Sequence, residues 1–275
     1  MKIKLHFCTI VLLMFSLSAS ANIPEVDWFR TDSGSGTSIV MDTGNNVYTT
    51  TSIGSIYLTK HDKFGNLLWQ KNFTTNVIFN YEYPWKVMVD SKNNIIVIGD
   101  RHTHGIENGD RLNTLIILKY NPQGILLWQQ LISGYFSAFY QERYHNSVKA
   151  QLDANDNIYV ASGGNVEGQG SGFNAIKINS TGNIIWQKVK SFGSSTYHLV
   201  ENIRNKGKLL ALGGFGLYTN NALLWVLDTS GTTLGLKANP GYSGRDIGFD
   251  NNNNIYLLTA IENGVGANTL GDISV

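Results

Sequence analysis

Two turn motifs alternate along the chain and divide it into units of similar length. In the first, an Asp is followed four positions later by Asn and then by an apolar segment. In the second, an Asx is followed three positions later by Gly and then by an apolar segment that often contains Trp. An Asx side chain can start a turn, and a fourth residue that accepts positive φ closes a hairpin. The first motif begins at Asp42, Asp90, Asp153 and Asp250, with a degenerate copy at Arg204, and the second has its glycines at Gly65, Gly124, Gly182 and Gly231.

The residues at the fourth position of the first motif support this interpretation. They are Asn or Asp, the residues other than Gly that best tolerate the left-handed conformation, so we expect positive φ at each of them. Two hairpins per unit give four strands, which we name a to d in chain order. The expected positions of positive φ in the first motif are Asn45, Asn93, Asp156 and Asn253.

This pattern predicts an all-β fold, a β-propeller of four-stranded antiparallel blades with about five blades visible and no helices in the mature chain. Trp69, Trp128 and Trp186 recur at one place in strand d, which indicates a structural role in docking neighbouring blades. The propeller domain is predicted over 22–275, with units at about 37–73, 85–132, 147–190, 198–239, and 245–275 together with 26–32.

Two arrangements of the chain ends fit the pattern. The segment 26–32 resembles a strand d, and it could complete the last blade and close a five-bladed ring. Alternatively, the last strand c looks cut short before the Lys-x-Asx that ends the other c strands, which favours the front part of a longer propeller.

The N-terminal residues 1–21 are predicted to be a signal peptide. Lys2 and Lys4 precede an apolar run that is too short to span a bilayer, and Ala19-Ser20-Ala21 matches the small residues at a cleavage site. The mature protein would be secreted, periplasmic or on the cell surface, with no membrane span. Cys8 is the only cysteine, so the mature chain would contain no disulfide.

The composition argues against several kinds of partner. Lys and Arg number 21 against 20 Asp and Glu, a formal net charge of +1, so no electrostatic attraction to nucleic acid or to an anionic membrane is expected. No Gly-x-Ser-x-Gly, His-Glu-x-x-His or phosphate-binding loop is present. We therefore expect no cofactor and assign no catalytic residue.

The chain resembles the SBBP repeat, the "seven-bladed β-propeller" repeat of secreted bacterial proteins. The resemblance rests on the Gly-Asn pairs at 65–66 and 182–183, on Lys119-Tyr120-Asn121, on Asn157-Ile158-Tyr159-Val160 and on the recurring Trp. It covers nearly all of 26–275. It implies a propeller fold and a secreted protein, but the family shares no catalytic residues that could be transferred. A weaker similarity to quinoprotein propeller repeats concerns only the packing Trp and implies no quinone.

Aromatic residues in the segments that lead into strand a are the candidate ligand site. They lie beside Glu, Gln and Asn, a setting that suits stacking on a sugar or gripping a peptide. The alternative is that these rings pack between blades. The candidates are Tyr81, Tyr83, Trp85, Tyr135, Tyr140 and Tyr144.

Two weaker candidates concern metals. His102 and His104 form a His-x-His with acidic residues nearby, but no further ligand stands at a typical spacing, so we predict no metal site. The Asp-x-Asn-x-Asn runs at 153–157 and 250–254 resemble calcium loops, yet they lack the Gly and the distal Glu of an EF-hand, and turn formation explains them.

The sequence therefore predicts a non-enzymatic binding or scaffold module whose ligand is a glycan or a protein. The alternative is a five-bladed glycosidase-type enzyme, which would need two or three carboxylates that converge on the central channel.

Overall fold

The computed structural model describes residues 28, 34–75, 80–103, 114–133, 148–166, 170–192, 198–216, 221–240 and 242–260. Blade 1 contains β1 (Ser35–Met41), β2 (Val47–Ser52), β3 (Ile56–His61) and β4 (Leu67–Phe73). Blade 2 contains β5 (Asn80–Val89), β6 (Ile95–Thr103), β7 (Thr114–Tyr120) and β8 (Leu126–Ser133). Blade 3 contains β9 (Val148–Leu152), β10 (Ile158–Val166), β11 (Gly170–Ile178) and β12 (Ile184–Ser191). Blade 4 contains β13 (His198–Lys206), β14 (Leu209–Gly216), β15 (Asn221–Asp228) and β16 (Thr233–Pro240), and β17 (Ser243–Phe249) and β18 (Ile255–Ala260) begin blade 5.

Four sheets have four strands each, and the described part of the fifth has two. Within each sheet the strands follow chain order and every neighbouring pair is antiparallel. The described residues contain no helix. The predicted all-β propeller architecture with four-stranded blades is confirmed.

The hairpin turns have the predicted backbone. The φ angle is 62° at Asn45 and 61° at Asn93, and it is likewise positive at Asp156 and Asn253 and at the four glycines of the second motif. The Asx side chain closes each turn, as where Asp90 Oδ1 accepts from the backbone NH groups of Lys92 and Asn94 at 2.9 and 2.8 Å. The same local chemistry therefore fixes both kinds of hairpin.

The core lies between consecutive blades. In β6, Ile95 and Val97 pack toward blade 1, whereas Ile96 and Ile98 pack toward blade 3, and all four side chains are buried. Side chains alternate across a strand, so a middle strand that is covered on both faces is apolar throughout. Each such side chain contributes about 1.5–3 kcal/mol through burial.

In blades 1, 2 and 3, a Trp in strand d holds the blade to the c–d turn of the next one. The Trp69 ring lies on Gly124, the Trp128 ring on Gly182 and the Trp186 ring on Gly231. Each indole NH donates to a backbone carbonyl of that turn, at 3.2 Å to Pro122, 3.3 Å to Ser180 and 3.1 Å to Thr229.

A Lys in strand c reaches the same carbonyl as the Trp. The ammonium groups of Lys60, Lys119 and Lys177 donate at 3.0, 2.9 and 2.9 Å. We call each Lys and Trp pair, with the turn that it grips, a latch.

Several strand bounds differ from those predicted. β5 begins five residues earlier than the expected Trp85, so Tyr81 and Tyr83 lie within a strand and not in a loop. The reason is that β5 pairs along its whole length with β6, which itself continues past Asp100 to Thr103. The degenerate motif at Arg204 forms a tighter hairpin, with β13 extending to Lys206 and positive φ at Gly207.

Candidate functional site

The blades have two edges with different chemistry. Both kinds of Asx turn lie at one edge, which we call the turn edge. The opposite edge, which we call the loop edge, carries the b–c connections and the segments that join one blade to the next. Since antiparallel strands reverse at each hairpin, this division follows from the strand order. The aromatic candidates lie toward the loop edge.

Tyr81 is the exposed aromatic residue at the start of β5. Its side chain is 52% exposed, and its ring lies beside Gly54 in the b–c turn of blade 1. The backbone NH of Glu82 donates to the Gly54 carbonyl at 3.2 Å. The strand that carries Tyr81 is therefore hydrogen-bonded to β6 on one side and to this turn on the other, which fixes its backbone between blades 1 and 2.

Tyr83 and Trp85 are less accessible than Tyr81. Their ring centroids lie 5.2 Å apart at an interplanar angle of 50°. Trp85 is partly buried against the apolar cluster between blades 2 and 3. Of these three candidates, Tyr81 is the most exposed to solvent.

Glu82 anchors this strand and is not available as a catalytic group. Its side chain is buried and accepts hydrogen bonds from the backbone NH and the hydroxyl of Thr75. The Ser52 hydroxyl donates to the Glu82 carbonyl at 3.1 Å. The carboxylate therefore fixes the crossing from blade 1 to blade 2.

Strands a form the inner wall of the propeller, because β1, β5, β9, β13 and β17 contact one another in succession. Charged side chains of both signs lie on this wall. Asp246 is 3.6 Å from the Arg204 guanidinium and also accepts from the side-chain amide of Asn202. Lys86 and Lys149 lie on adjacent strands, and Glu201 lies near Lys149.

The inner wall does not present the carboxylate set of a glycosidase in the described residues. Apart from the buried Glu82, the described strands a carry Glu201 and Asp246. Asp246 is paired with Arg204, and Glu201 has a lysine nearby. The glycosidase alternative stays a prediction, with no contact that favours it.

The aspartates of the turn edge are occupied by the turns themselves. Burial of Asp153 opposes its ionisation, but hydrogen bonds from Asn157, Asn155 and Tyr159 outweigh this effect and lower its pKa. Its two oxygens accept from two backbone NH groups, from an amide and from a phenol. Turn formation thus accounts for the acceptors that a calcium ion would need.

The turn edge also contains contacts that sequence analysis missed. Asn93 Oδ1 accepts from the Thr43 hydroxyl at 3.2 Å, and Asp156 Oδ2 accepts from the Ser91 hydroxyl at 2.6 Å. In both cases the residue with positive φ bonds to the residue after the turn Asp in the preceding blade. The sequence signal for this contact is a Ser or Thr directly after the turn Asp, which is present at Thr43 and Ser91.

Some predicted residues cannot be placed. Tyr135, Tyr140, Tyr144 and His104 lie outside the described residues, and His102 is described only as part of the backbone of β6. Among the described residues there is no group of three or more metal-binding side chains. No helix in the same residues is long and apolar enough to cross a membrane.

Comparison with known proteins gives the fold alone. No family model and no curated protein matches the chain, so membership of the SBBP repeat family stays a prediction. Similar solved structures include an ulvan lyase (11% identity, 80% of this chain, 60% of that chain, TM-score 0.48) and an endo-arabinase from Bacteroides thetaiotaomicron (11%, 83%, 89%, 0.41). A third is the Dos1 propeller (12%, 82%, 64%, 0.40). The chain spans less than two thirds of the ulvan lyase and of the Dos1 propeller.

Proposed function

We propose that this chain is a secreted or cell-surface β-propeller that works as a binding module for a glycan or a protein, and not as an enzyme. The observation that carries the proposal is Tyr81, a half-exposed aromatic ring on a strand that is hydrogen-bonded on both sides. A ring held in this way loses little conformational entropy when a ligand stacks on it. Aromatic faces of this kind suit the apolar face of a sugar or a peptide side chain.

The distribution of charge supports this choice of partner. The net charge is +1, and the described charges of the inner wall are mixed in sign, so neither nucleic acid nor an anionic membrane is the favoured partner. The proposal of secretion rests on the signal peptide predicted at 1–21, and it is tested by sequencing the N-terminus of the protein recovered outside the cytoplasm.

The binding role is tested by the substitution Tyr81→Ala. We expect wild-type protein to bind oligosaccharides on a glycan array, and we expect Tyr81→Ala to weaken binding about tenfold, as for loss of one stacked aromatic ring. Because the side chain is half exposed, the melting temperature should change little.

Phe64→Ala is the matched control. Phe64 is 67% exposed but lies in a c–d turn at the opposite edge, so its removal should leave glycan binding unchanged. Equal losses in both variants would show non-specific adhesion to aromatic surface. Absence of binding to any glycan, together with capture of a defined protein through Tyr81, would identify the protein form of the proposal.

A further inference from the structure

One position of strand a recurs on the inner wall of every blade. It lies four residues before the turn Asp, or at the equivalent pairing position in blade 4, where the turn is shorter. Strands a are neighbours, so these five side chains follow one another around the inner wall. The residues at this position are Ser38, Lys86, Lys149, Asn202 and Asp246.

Three of the five side chains have partners within the protein. The Ser38 hydroxyl accepts from the backbone NH of Val87 at 3.1 Å, which joins blade 1 to blade 2. Asn202 donates to Asp246, and Asp246 is also close to Arg204. The polar groups of these three side chains therefore find hydrogen-bond or ion-pair partners within the protein.

The two lysines differ from the other three. Among the described residues, the ammonium groups of Lys86 and Lys149 make no hydrogen bond and no ion pair. The ammonium group of Lys119, by contrast, makes both. Two cations on adjacent strands repel each other, and water is the remaining source of hydrogen bonds. An anion between the two lysines would supply the negative charge and the hydrogen-bond acceptors that their ammonium groups do not find on the inner wall.

We propose that Lys86 and Lys149 bind an acidic group of a glycan, a carboxylate or a sulfate ester, on the inner wall. This inference rests on the binding function proposed above and names the class of ligand. Aromatic residues of the same strand favour a sugar over a simple ion, because Trp85 directly precedes Lys86 in β5 and the Trp85 ring contacts that of Tyr83. A strand that carries both a cation and aromatic rings suits the polar and apolar faces of a uronic acid or a sulfated sugar.

The electrostatics of Lys149 fit this arrangement. Burial lowers its pKa, Glu201 partly opposes the effect, and Lys86 lowers it further through repulsion. An anion bound at this place would favour the protonated amine. Glu201 supplies only part of the compensating charge.

The test uses the full-length mature protein and variants of three lysines. The probes are an oligogalacturonate, a sulfated dextran oligomer, a neutral malto-oligosaccharide and a polyglutamate peptide of similar length, each titrated by calorimetry at two salt concentrations. We expect one or both acidic glycans to bind more tightly than the neutral glycan. Lys86→Gln and Lys149→Gln should each weaken that binding about tenfold, as for loss of one charge-assisted hydrogen bond. Lys92→Gln is the matched control, since Lys92 is exposed in a turn at the opposite edge.

The outcomes separate the inference from the function on which it rests. If both Gln variants bind the acidic glycans as the wild type does while Tyr81→Ala loses binding, the anion site is wrong and the glycan function stands. If the wild type binds none of the glycans, the acidic-glycan site is wrong, and the binding function stands only if the protein captures a defined protein through Tyr81. Tighter lysine-dependent binding of polyglutamate would replace the acidic glycan with an acidic peptide. If Lys149→Gln proves unstable, two other results test the anion site. Lys149→Arg must bind the acidic glycans as the wild type does, and Lys86→Gln, at an exposed residue, must weaken that binding.

Discussion

Asn93 performs two tasks in the a–b turn of blade 2. Its φ of 61° closes the hairpin, and its side chain exchanges hydrogen bonds with Thr43 of blade 1. The first task could be predicted from the sequence, because Asn among non-glycine residues tolerates this conformation. The second could not, because Thr43 lies 50 residues away and only blade stacking brings the two turns together.

The two tasks of Asn93 can be separated by substitution. Asn93→Gly keeps the backbone conformation but loses the bonds to Thr43, so we expect it to lower the free energy of unfolding by about 1 kcal/mol. Asn93→Ala should cost about 1–2 kcal/mol more, because alanine resists positive φ. Urea unfolding of both variants gives the two terms.

A double-mutant cycle with Thr43→Ala provides the control for Asn93→Gly. If the contact between the turns is the cause, the two substitutions together should cost less than their sum. Strict additivity would contradict a contribution from that contact.

Asp90 and Lys119 form a buried ion pair with a separation of 2.8 Å. Burial raises the pKa of Asp90, but hydrogen bonds from Lys119 and Asn94 outweigh it, so the net pKa lies below its ordinary value. A lowered aspartate pKa stabilises the fold at pH values above the unfolded pKa of about 4, and this contribution is lost as the pH falls through the folded pKa.

We therefore expect Asp90→Asn to lower the free energy of unfolding by about 3 kcal/mol at pH 7, since it leaves a buried lysine without its counter-ion. At pH 3 and below, the difference from the wild type should shrink, because the wild-type carboxylate is itself becoming protonated. Urea unfolding across this pH range measures the difference. Asp62→Asn, at an exposed turn, should show a smaller loss at pH 7, and an equal loss would rule out the buried pair as the cause.

At the scale of elements, the latch explains why glycine stands in the c–d turns. A Cβ added at Gly182 would lie 2.8 Å from the Trp128 ring, and φ there is +93°. The positive φ was predictable from the turn motif, whereas the packing of a Trp from the preceding blade on the glycine was expected only as a general docking role. The shared carbonyl acceptor of Lys and Trp was not predictable, because both donors lie more than 50 residues from Ser180.

Gly182→Ala should be much more damaging than Gly207→Ala. Both glycines have positive φ, but a Cβ at Gly207 meets no atom within 4 Å. We expect Gly207→Ala to cost about 1 kcal/mol through backbone strain, and Gly182→Ala to cost at least about 2 kcal/mol more because the Trp128 ring must move. Thermal unfolding of the two variants measures the difference. Equal losses of stability would mean that the close contact between the Trp128 ring and Gly182 does not limit the size of the residue there.

At the scale of the whole molecule, the latch is present at some blades and missing at another. The Trp28 ring packs on Gly65, and its indole NH donates to the Lys63 carbonyl at 3.1 Å, so a Trp preceding blade 1 grips it as Trp69 grips blade 2. Blade 4 has Val226 and Gly235 at the two latch positions.

Among the described residues, blade 5 covers the face of blade 4 with two strands, β17 and β18. A groove of about 840 Å³ lies there, with Leu224, Val226 and Leu236 on one side and Ile255 and Leu257 of β18 on the other. In the preceding blades the corresponding faces pack against strands a, b and c of the next blade.

The repeats made the blade architecture predictable, but they left two arrangements of the ends open. The lost latch distinguishes them. A fifth blade that takes strand d from the segment 26–32 has no c–d turn, so blade 4 would have no carbonyl to grip, which agrees with Val226 and Gly235. A following blade with an ordinary c–d turn would call for Lys and Trp at these positions. We therefore predict that the segment 26–32 supplies a strand of blade 5.

Ring closure can be tested by comparing Trp28→Ala with deletion of residues 22–33, using hydrogen exchange. Both changes remove the contact with blade 1, so both should increase exchange near Gly65. Only the deletion would also remove a strand that packs over the groove on blade 4, so only the deletion should increase exchange in β16 and β18, because solvent then reaches the faces that this strand covered. If β16 and β18 exchange equally in the two variants, the segment 26–32 does not lie in that groove, and the prediction is wrong. Both variants lack the contact between Trp28 and Gly65, and only the deletion also lacks the segment 26–32. A difference in exchange between them therefore reports the loss of that segment alone.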